Sequence, residues 1–216
     1  MGVEMKDLAV VIVTCDKYSW IWDTWYHYFD WNLDTPIYFI NETEDCNLPV
    51  KQIKVGPHSV NRWTKMVREG VKQIPEKHLF LMTEDILFNR NIDDLFILLY
   101  DVFLKYNAEA LRVRSHPSVS YMSDTRDIVQ GKYVRKLSQD SKYLVSFAPN
   151  IWDKEYLMIC LKRNQNPWKC ETSRRMNDRG QLVLDYYEPG WYTNAVVKGK
   201  LTEEGRKQHE IVLDGH

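Results

Sequence analysis

Short runs of β-branched and aliphatic residues alternate along this chain with segments whose apolar positions recur at helical spacing. That alternation restricts the fold more than any other feature of the sequence. Leu8 to Thr14 (LAVVIVT) is an unbroken apolar run, the pattern of a strand covered on both faces. An aromatic segment from about Ser19 to Trp31 follows and reads as a helix, and Pro36 to Asn41 is a second strand. Val50 to Val55 alternates like a third, more exposed strand. Ser59 is placed as an N-cap, after which Trp63, Met66, Val67, Gly70, Val71 and Ile74 fall on one helical face. His78 to Met82 is a central strand, Ile92 to Tyr106 an apolar helix, and Glu109 to Arg114 a further strand. Strands and helices in this order need crossovers between parallel neighbours. The prediction is an α/β fold, a mixed, mainly parallel sheet flanked by helices.

The second half is less regular. Tyr143 to Phe147 reads as a strand and Asp153 to Arg163 as a helix, with Asp153 as its cap. Asn166-Pro167 opens another helix, Asn capping and Pro at the first position. Leu182 to Tyr187 and Tyr192 to Val197 are strand-like, and the charged tail from Thr202 onward has the composition of a mobile end. With 216 residues and no linker-like segment, one domain is expected over 1–216. A net charge of -1 points away from a nucleic-acid surface, and no apolar stretch approaches the length of a membrane span. Cys15, Cys46, Cys160 and Cys170 form no CxxC pair, which fits a reducing, cytoplasmic setting. Eight Trp and 13 Tyr are an unusual share; aromatic faces fill cores and also stack on sugar rings and nucleobases, and the excess taken as a whole leans slightly toward a carbohydrate-handling protein.

In open α/β sheets ligands sit beyond the carboxyl ends of the strands. Those ends carry Thr14, Cys15, Asp16 and Lys17, then Asn41 and Glu42, then Thr83, Glu84 and Asp85, then Ser115 and His116. A hydrophobic central strand that delivers Thr83-Glu84-Asp85 to its exposed end can hold Mg²⁺ or Mn²⁺, which prefer oxygen ligands and bind diphosphates alongside. The alternative is that Glu84 and Asp85 cap the next helix or satisfy a turn. Arg112 and Arg114 share a strand face, where their partner is a phosphate, the metal-site carboxylates or a structural salt bridge.

The acidic triplet after a nucleotide-binding βαβ half resembles the DXD segment of GT-A glycosyltransferases, with Thr in place of the first Asp. Val11 to Tyr18 is similar to the first strand and nucleoside loop of that class, and Arg62-Trp63 to the place where a basic residue approaches the donor. Ser146 to Trp152 resembles an acceptor-side loop, and Asn166-Pro167-Trp168-Lys169-Cys170-Glu171 an NPW-x-x-E segment of a subgroup. Within the class, the likeness is to the capsid-glycan glycosyltransferases of large chlorella viruses, and it runs over roughly the whole chain. The resemblance implies a Rossmann-like GT-A fold with a nucleotide-donor half over 1–115, an acceptor half over 116–200 and a tail over 201–216. It implies a UDP-sugar donor (UDP-glucose or UDP-rhamnose), a glycan acceptor, Mn²⁺ or Mg²⁺ as cofactor and, for a viral protein, the host cytoplasm. The expected donor residues are Thr14, Asp16, Tyr18, Asn41, Arg62, Trp63 and Glu84, with Asp85 as metal ligand and Asp16 meeting the uracil imide. Glu171 is the expected base for an inverting displacement, although a Glu early in a helix is also favoured by the helix dipole. Two rivals remain. A nucleotidyltransferase of related fold would carry a Gly-rich loop where this chain has Cys15-Asp16-Lys17-Tyr18. A non-catalytic nucleotide- or carbohydrate-binding module would need neither Asp85 nor Glu171.

Overall fold

The computed structural model describes residues 5–113, 120–141, 143–144, 146–147, 149–161, 164–172, 182–187 and 189–214. In chain order the strands of the main sheet are β1 (Leu8–Val13), β2 (Ile37–Asn41), β3 (Lys51–Lys54) and β4 (His78–Thr83). The short β5 (Ile86–Phe88) lies outside that sheet, which continues with β6 (Ala110–Arg112), β7 (Tyr121–Val129), β8 (Lys132–Leu137), β9 (Asn150–Asp153) and β10 (Val183–Asp185). Its nine strands run in the order β3-β2-β1-β4-β9-β6-β10-β8-β7. All but β9 and β8 point the same way. The mixed, mainly parallel sheet expected from the sequence is therefore present.

Side-chain alternation along β1 shows why it sits near the middle. Leu8, Val10 and Ile12 face one core with α1 (Trp22–Tyr28) and α3 (Asp93–Lys105). Ala9, Val11 and Val13 face the other core with α2 (Trp63–Val71), α4 (Lys154–Cys160) and α5 (Pro167–Glu171). A strand buried on both faces gains nothing from polar alternation, hence the unbroken LAVVIV run. Asp153 caps α4 by accepting from the Tyr156 N–H at 2.8 Å, and Asn166 caps α5 by accepting from the Lys169 N–H at 2.8 Å.

Several expectations are corrected. The segment Ser19 to Trp31 is a 3-10 turn over Asp16–Ile21 followed by α1, which ends at Tyr28. Ser59 precedes a 3-10 turn over Val60–Arg62, with no side-chain cap bond, before α2 begins. No strand forms among the described residues of 143–147, where Tyr143 has a φ of 56°. The strand is β9 instead, antiparallel between β4 and β6, so the Ser146 to Trp152 run expected as an acceptor loop ends inside the core. The β7–β8 hairpin went unpredicted because its outer strand, YMSDTRDIV, is an exposed edge with little apolar alternation.

The tail is α6 (Glu203–Asp214), which packs on α1 and buries Gly205 and Val212. The His209 ring shares a 2.6 Å hydrogen bond with the Thr24 hydroxyl and meets the Trp20 ring edge-on. Preceding it, β11 (Tyr192–Asn194) pairs antiparallel with β5, and β12 (Val196–Val197) forms a hairpin with β13 (Lys200–Leu201). Among the described residues no helix is long and apolar enough to cross a membrane.

Candidate functional site

Register aligns the strand ends. Val13 of β1 pairs with Ile40 of β2 and with Thr83 of β4, so Thr14, Asn41 and Glu84 leave the sheet at one level. Beyond that edge lies a cleft of about 790 Å³. Thr14, Tyr18, Trp63, Glu84 and Asp85 line it together, joined by Lys17, Glu42, His58, Trp168 and Lys198. Asn41, Asp16, Arg62 and Glu171, also expected at the site, are not among the lining residues.

The acidic triplet is held from both sides. Glu84 is buried, and burial followed by repulsion from Asp85 pushes its carboxyl well above the usual carboxylate range, against a hydrogen bond from Thr14. The Thr14 hydroxyl in turn accepts from Trp22 Nε1 at 2.8 Å. Asp85 is half-buried and accepts from the Thr83 hydroxyl, while its backbone carbonyl takes the Ala195 N–H at 2.7 Å. Neither carboxylate caps a helix, because β5 follows directly and α3 begins only at Asp93. That removes the helix-cap alternative, while the turn alternative holds, since Glu84 and Asp85 form the turn between β4 and β5.

Asp16 and Asn41 build the neighbouring loop. The Asp16 carboxylate accepts from the Thr43 N–H at 3.0 Å, the Glu44 N–H at 3.1 Å, the Asn41 amide and the Thr43 hydroxyl. Partial burial alone would raise its pKa, but these bonds together hold it below the ordinary value. Asn41 is fully buried and also joins Gln52 and the Glu44 carbonyl. Glu42 accepts the Asp16 N–H at 3.2 Å and the His58 N–H at 3.1 Å. Arg62 is exposed on the 3-10 turn before α2, whereas its neighbour Trp63 lines the cleft and packs edge-on against Phe147 at 4.7 Å. Glu171 lies behind that contact and accepts the Phe147 N–H at 2.7 Å. On α5 it follows Pro167 by four positions and Trp168 by three, and both of those line the cleft.

Cys15 is half-buried on the cleft wall. Burial, then the charges of Glu84 and Glu42, push its thiol up to about 11, which disfavours the thiolate. Tyr18 is likewise raised, by burial and then by Cys15, Glu84 and Asp85, and stays a neutral hydroxyl.

Some cleft residues carried no assigned role in the sequence reading, among them Trp168, which entered only as part of the NPW-x-x-E segment, and Lys198. Trp168 is 65% exposed although it is large and apolar, which marks a ring that faces a ligand or solvent rather than a core. Lys198 and Gly199 form the two-residue tip of the β12–β13 hairpin, with φ of 53° and 76°. Gly suits such a turn, but Lys in the left-handed region is unusual, and here it carries a cation to the cleft. A Lys-Gly pair between short strands was the available signal. Elsewhere, Arg112 pairs with Asp185 at 3.5 Å in the interior, a structural salt bridge, while Arg114, Ser115 and His116 lie outside the described residues.

No family model matches the sequence, and no curated protein does. Solved structures share the fold. UTP-bound UGPase from Acinetobacter baumannii is 9% identical over 96% of this chain and 93% of its own, with a TM-score of 0.57. A cytidylyltransferase from Leptospira borgpetersenii is 12% identical, with 97% and 94% covered and a TM-score of 0.52. S. aureus TarS is 11% identical over 95% of this chain and 39% of its own, with a TM-score of 0.54, so this chain spans about two fifths of that protein. TarS 1-349 was also solved in complex with UDP, with a TM-score of 0.53. At these identities the likeness establishes a GT-A and nucleotidyltransferase type of α/β fold.

Proposed function

We propose that the protein is a metal-dependent glycosyltransferase that moves a sugar from a UDP-sugar to a glycan acceptor. The observation that carries this reading is the Thr83-Glu84-Asp85 triplet at the end of β4, opening on a cleft that holds both aromatic rings and lysines. Aromatic rings suit a base or a sugar, lysines suit a diphosphate, and a carboxylate beside them suits a divalent cation. Solved proteins of this fold were captured with UTP and with UDP, which supports a uridine nucleotide as the ligand class.

Among the described residues no cluster of three His, Cys, Asp or Glu side chains forms a closed metal site. The donors present are hard carboxylate oxygens, and Mg²⁺-type ions are ordinarily held by one or two such groups plus substrate phosphates and water. Asp85 fits that arrangement and is the residue that would hold Mn²⁺ or Mg²⁺. When bound, the ion would offset charge on the leaving diphosphate. Lys17 and Lys198 would add to that from the rim. Asp16 and Asn41 act one step back by fixing the 41–44 loop.

For the chemistry we assign Glu171 as base, a role that requires its carboxylate, which in the structure holds the Phe147 N–H just outside the cleft lining, to reach the acceptor hydroxyl. An acceptor hydroxyl beside Trp168 attacks the anomeric carbon, the bond from that carbon to the diphosphate oxygen breaks, and Glu171 takes the hydroxyl proton. UDP departs with the bonding pair, and the configuration inverts. The loop after β1 is a 3-10 turn without glycine, which favours transfer of the sugar over nucleotidyl transfer. The narrower likeness to viral capsid-glycan enzymes supplies UDP-glucose or UDP-rhamnose as the donor, a growing glycan as the acceptor and the host cytoplasm as the setting. Product analysis tests the reading. Glu171→Gln should lower transfer by roughly 10² to 10⁴ with little change in UDP affinity, the usual span for a general base. NMR of the product should show the inverted anomer. Retention, or an equal loss of UDP binding, would remove Glu171 from this role.

A further inference from the structure

A second concavity, of about 370 Å³, lies over β10, β8 and β7, away from the triplet cleft. Its walls include Tyr133, Tyr187, Tyr121, Arg135 and Asp185. Tyr133 and Tyr187 are 50% and 54% exposed, so their rings do not serve a core. Tyr121 is fixed differently, with its hydroxyl donated to Asp185 at 3.0 Å and the Arg135 guanidinium 4.8 Å above its ring. Asp185 is itself anchored by Arg112 from the interior. The base of this concavity is therefore an ion-paired, hydrogen-bonded network, and its rim carries two exposed aromatic rings beside the Arg135 guanidinium, which also pairs with Asp124 at 3.2 Å. Flat rings cover the C–H face of a pyranose, while carboxylate and guanidinium pairs meet its hydroxyls.

Its position relates it to the proposed active site. Asp185 ends β10, which points the same way as β4, so both openings lie at the carboxyl edge of the sheet. Asp185 alternates with Leu184, whose side chain joins the α1–α3 core, and follows the direction of Val183, which joins the core of α2, α4 and α5. Those are the helices that bring Trp63 and Trp168 to the cleft. From β4 the sheet runs through β9 and β6 to β10 and then β8, a lateral distance of roughly 14 to 19 Å at about 4.8 Å per strand. One sugar ring does not reach across that distance, whereas an oligosaccharide does.

We propose that this tyrosine-lined concavity is a carbohydrate-binding subsite that holds the acceptor glycan away from its reacting end. The identity of the ligand rests on the glycosyl-transfer reading.

The test titrates the full chain with neutral di- and trisaccharides of glucose, rhamnose, galactose, mannose and N-acetylglucosamine, read by saturation-transfer NMR. UDP affinity is measured in parallel by calorimetry. At least one saccharide should bind in the millimolar range and remain bound when UDP is saturating. Tyr133→Ala with Tyr187→Ala should weaken it by about tenfold, and Phe at both positions should restore it. UDP affinity and thermal midpoint should not change, since both side chains are exposed. Absence of binding by every saccharide, binding that survives the double substitution, or displacement of the saccharide by UDP would each overturn the subsite. Loss of the nucleotide reading is a separate outcome, seen as failure of the wild-type chain to bind UDP in the calorimetric arm.

Discussion

Gly205→Ala isolates how the C-terminal helix holds the site. Gly205 sits in the first turn of α6, where its N–H bonds the Thr202 hydroxyl at 3.0 Å. An added Cβ would lie 2.5 Å from both the Cα and the carbonyl oxygen of Ala195, and 2.8 Å from its carbonyl carbon. The obstacle is backbone, so no rotamer change relieves it. Helix propensity by itself favours Ala over Gly by about 1 kcal/mol. Overpacking costs about 1 to 3 kcal/mol, and a backbone clash belongs at the upper end. The net expectation is a loss of about 2 kcal/mol, or about 4 to 8 °C in melting temperature for a chain of this size. Because the Ala195 N–H is bonded to the Asp85 carbonyl, the displacement should reach the triplet and weaken UDP binding as well. Urea unfolding followed by near-UV circular dichroism measures the first effect and calorimetry the second. A variant as stable as the parent, or more stable, would mean that propensity outweighs packing and that the close approach of α6 to Ala195 is not what docks the helix.

Two further outcomes are expected. Lys198→Ala should weaken UDP by roughly 10- to 100-fold, the worth of a charge-assisted hydrogen bond, with little effect on uridine. Equal losses for UDP and uridine in a calorimetric comparison would place Lys198 away from the diphosphate. His78 is half-buried and shares a 2.7 Å hydrogen bond with the Tyr100 hydroxyl. Burial lowers its pKa, outweighing the attraction of Asp153 and Asp7. The unfolded chain therefore takes up that proton first as pH falls, so stability is full above about pH 6.5 and declines below it until the folded His78 also protonates. The urea midpoint should drop between about pH 7.5 and 5.5, and His78→Gln should flatten that drop. An unchanged slope would assign the pH dependence to other groups.

How much could be read in advance follows the burial of each element. Strands covered on both faces write themselves as continuous apolar runs, so β1, β2 and β4 were legible, and with them the level at which Thr14 and Glu84 emerge. The edge hairpin β7–β8 was illegible because half of each strand faces water and the outer one carries Asp124, Arg126 and Asp127. The α6 helix was hidden for a related reason. It buries only Gly205 and Val212 rather than a broad apolar stripe, its Ile211 and Leu213 face solvent, and most of its other positions are charged or polar. At the site, residue type indicated chemistry without indicating engagement. The Asp16 carboxylate has the same sequence signature whether it meets a base or, as here, the Thr43 and Glu44 backbone amides. Lys198 escaped notice because its approach to the cleft depends on a hairpin that pairs two residues with two.

The account turns on whether the cleft takes a uridine diphosphate through Asp85 and a divalent ion. Thermal shift measures this directly. A ligand at about 100 times its dissociation constant stabilises the native state by about 2.7 kcal/mol. UDP with Mn²⁺ at that level should raise the melting temperature by about 5 to 11 °C. EDTA or Asp85→Asn should shrink that rise, and GDP, ADP and CMP should give much less. A rise with UDP that persists undiminished in EDTA and in Asp85→Asn, or no rise with any nucleotide, would contradict the account.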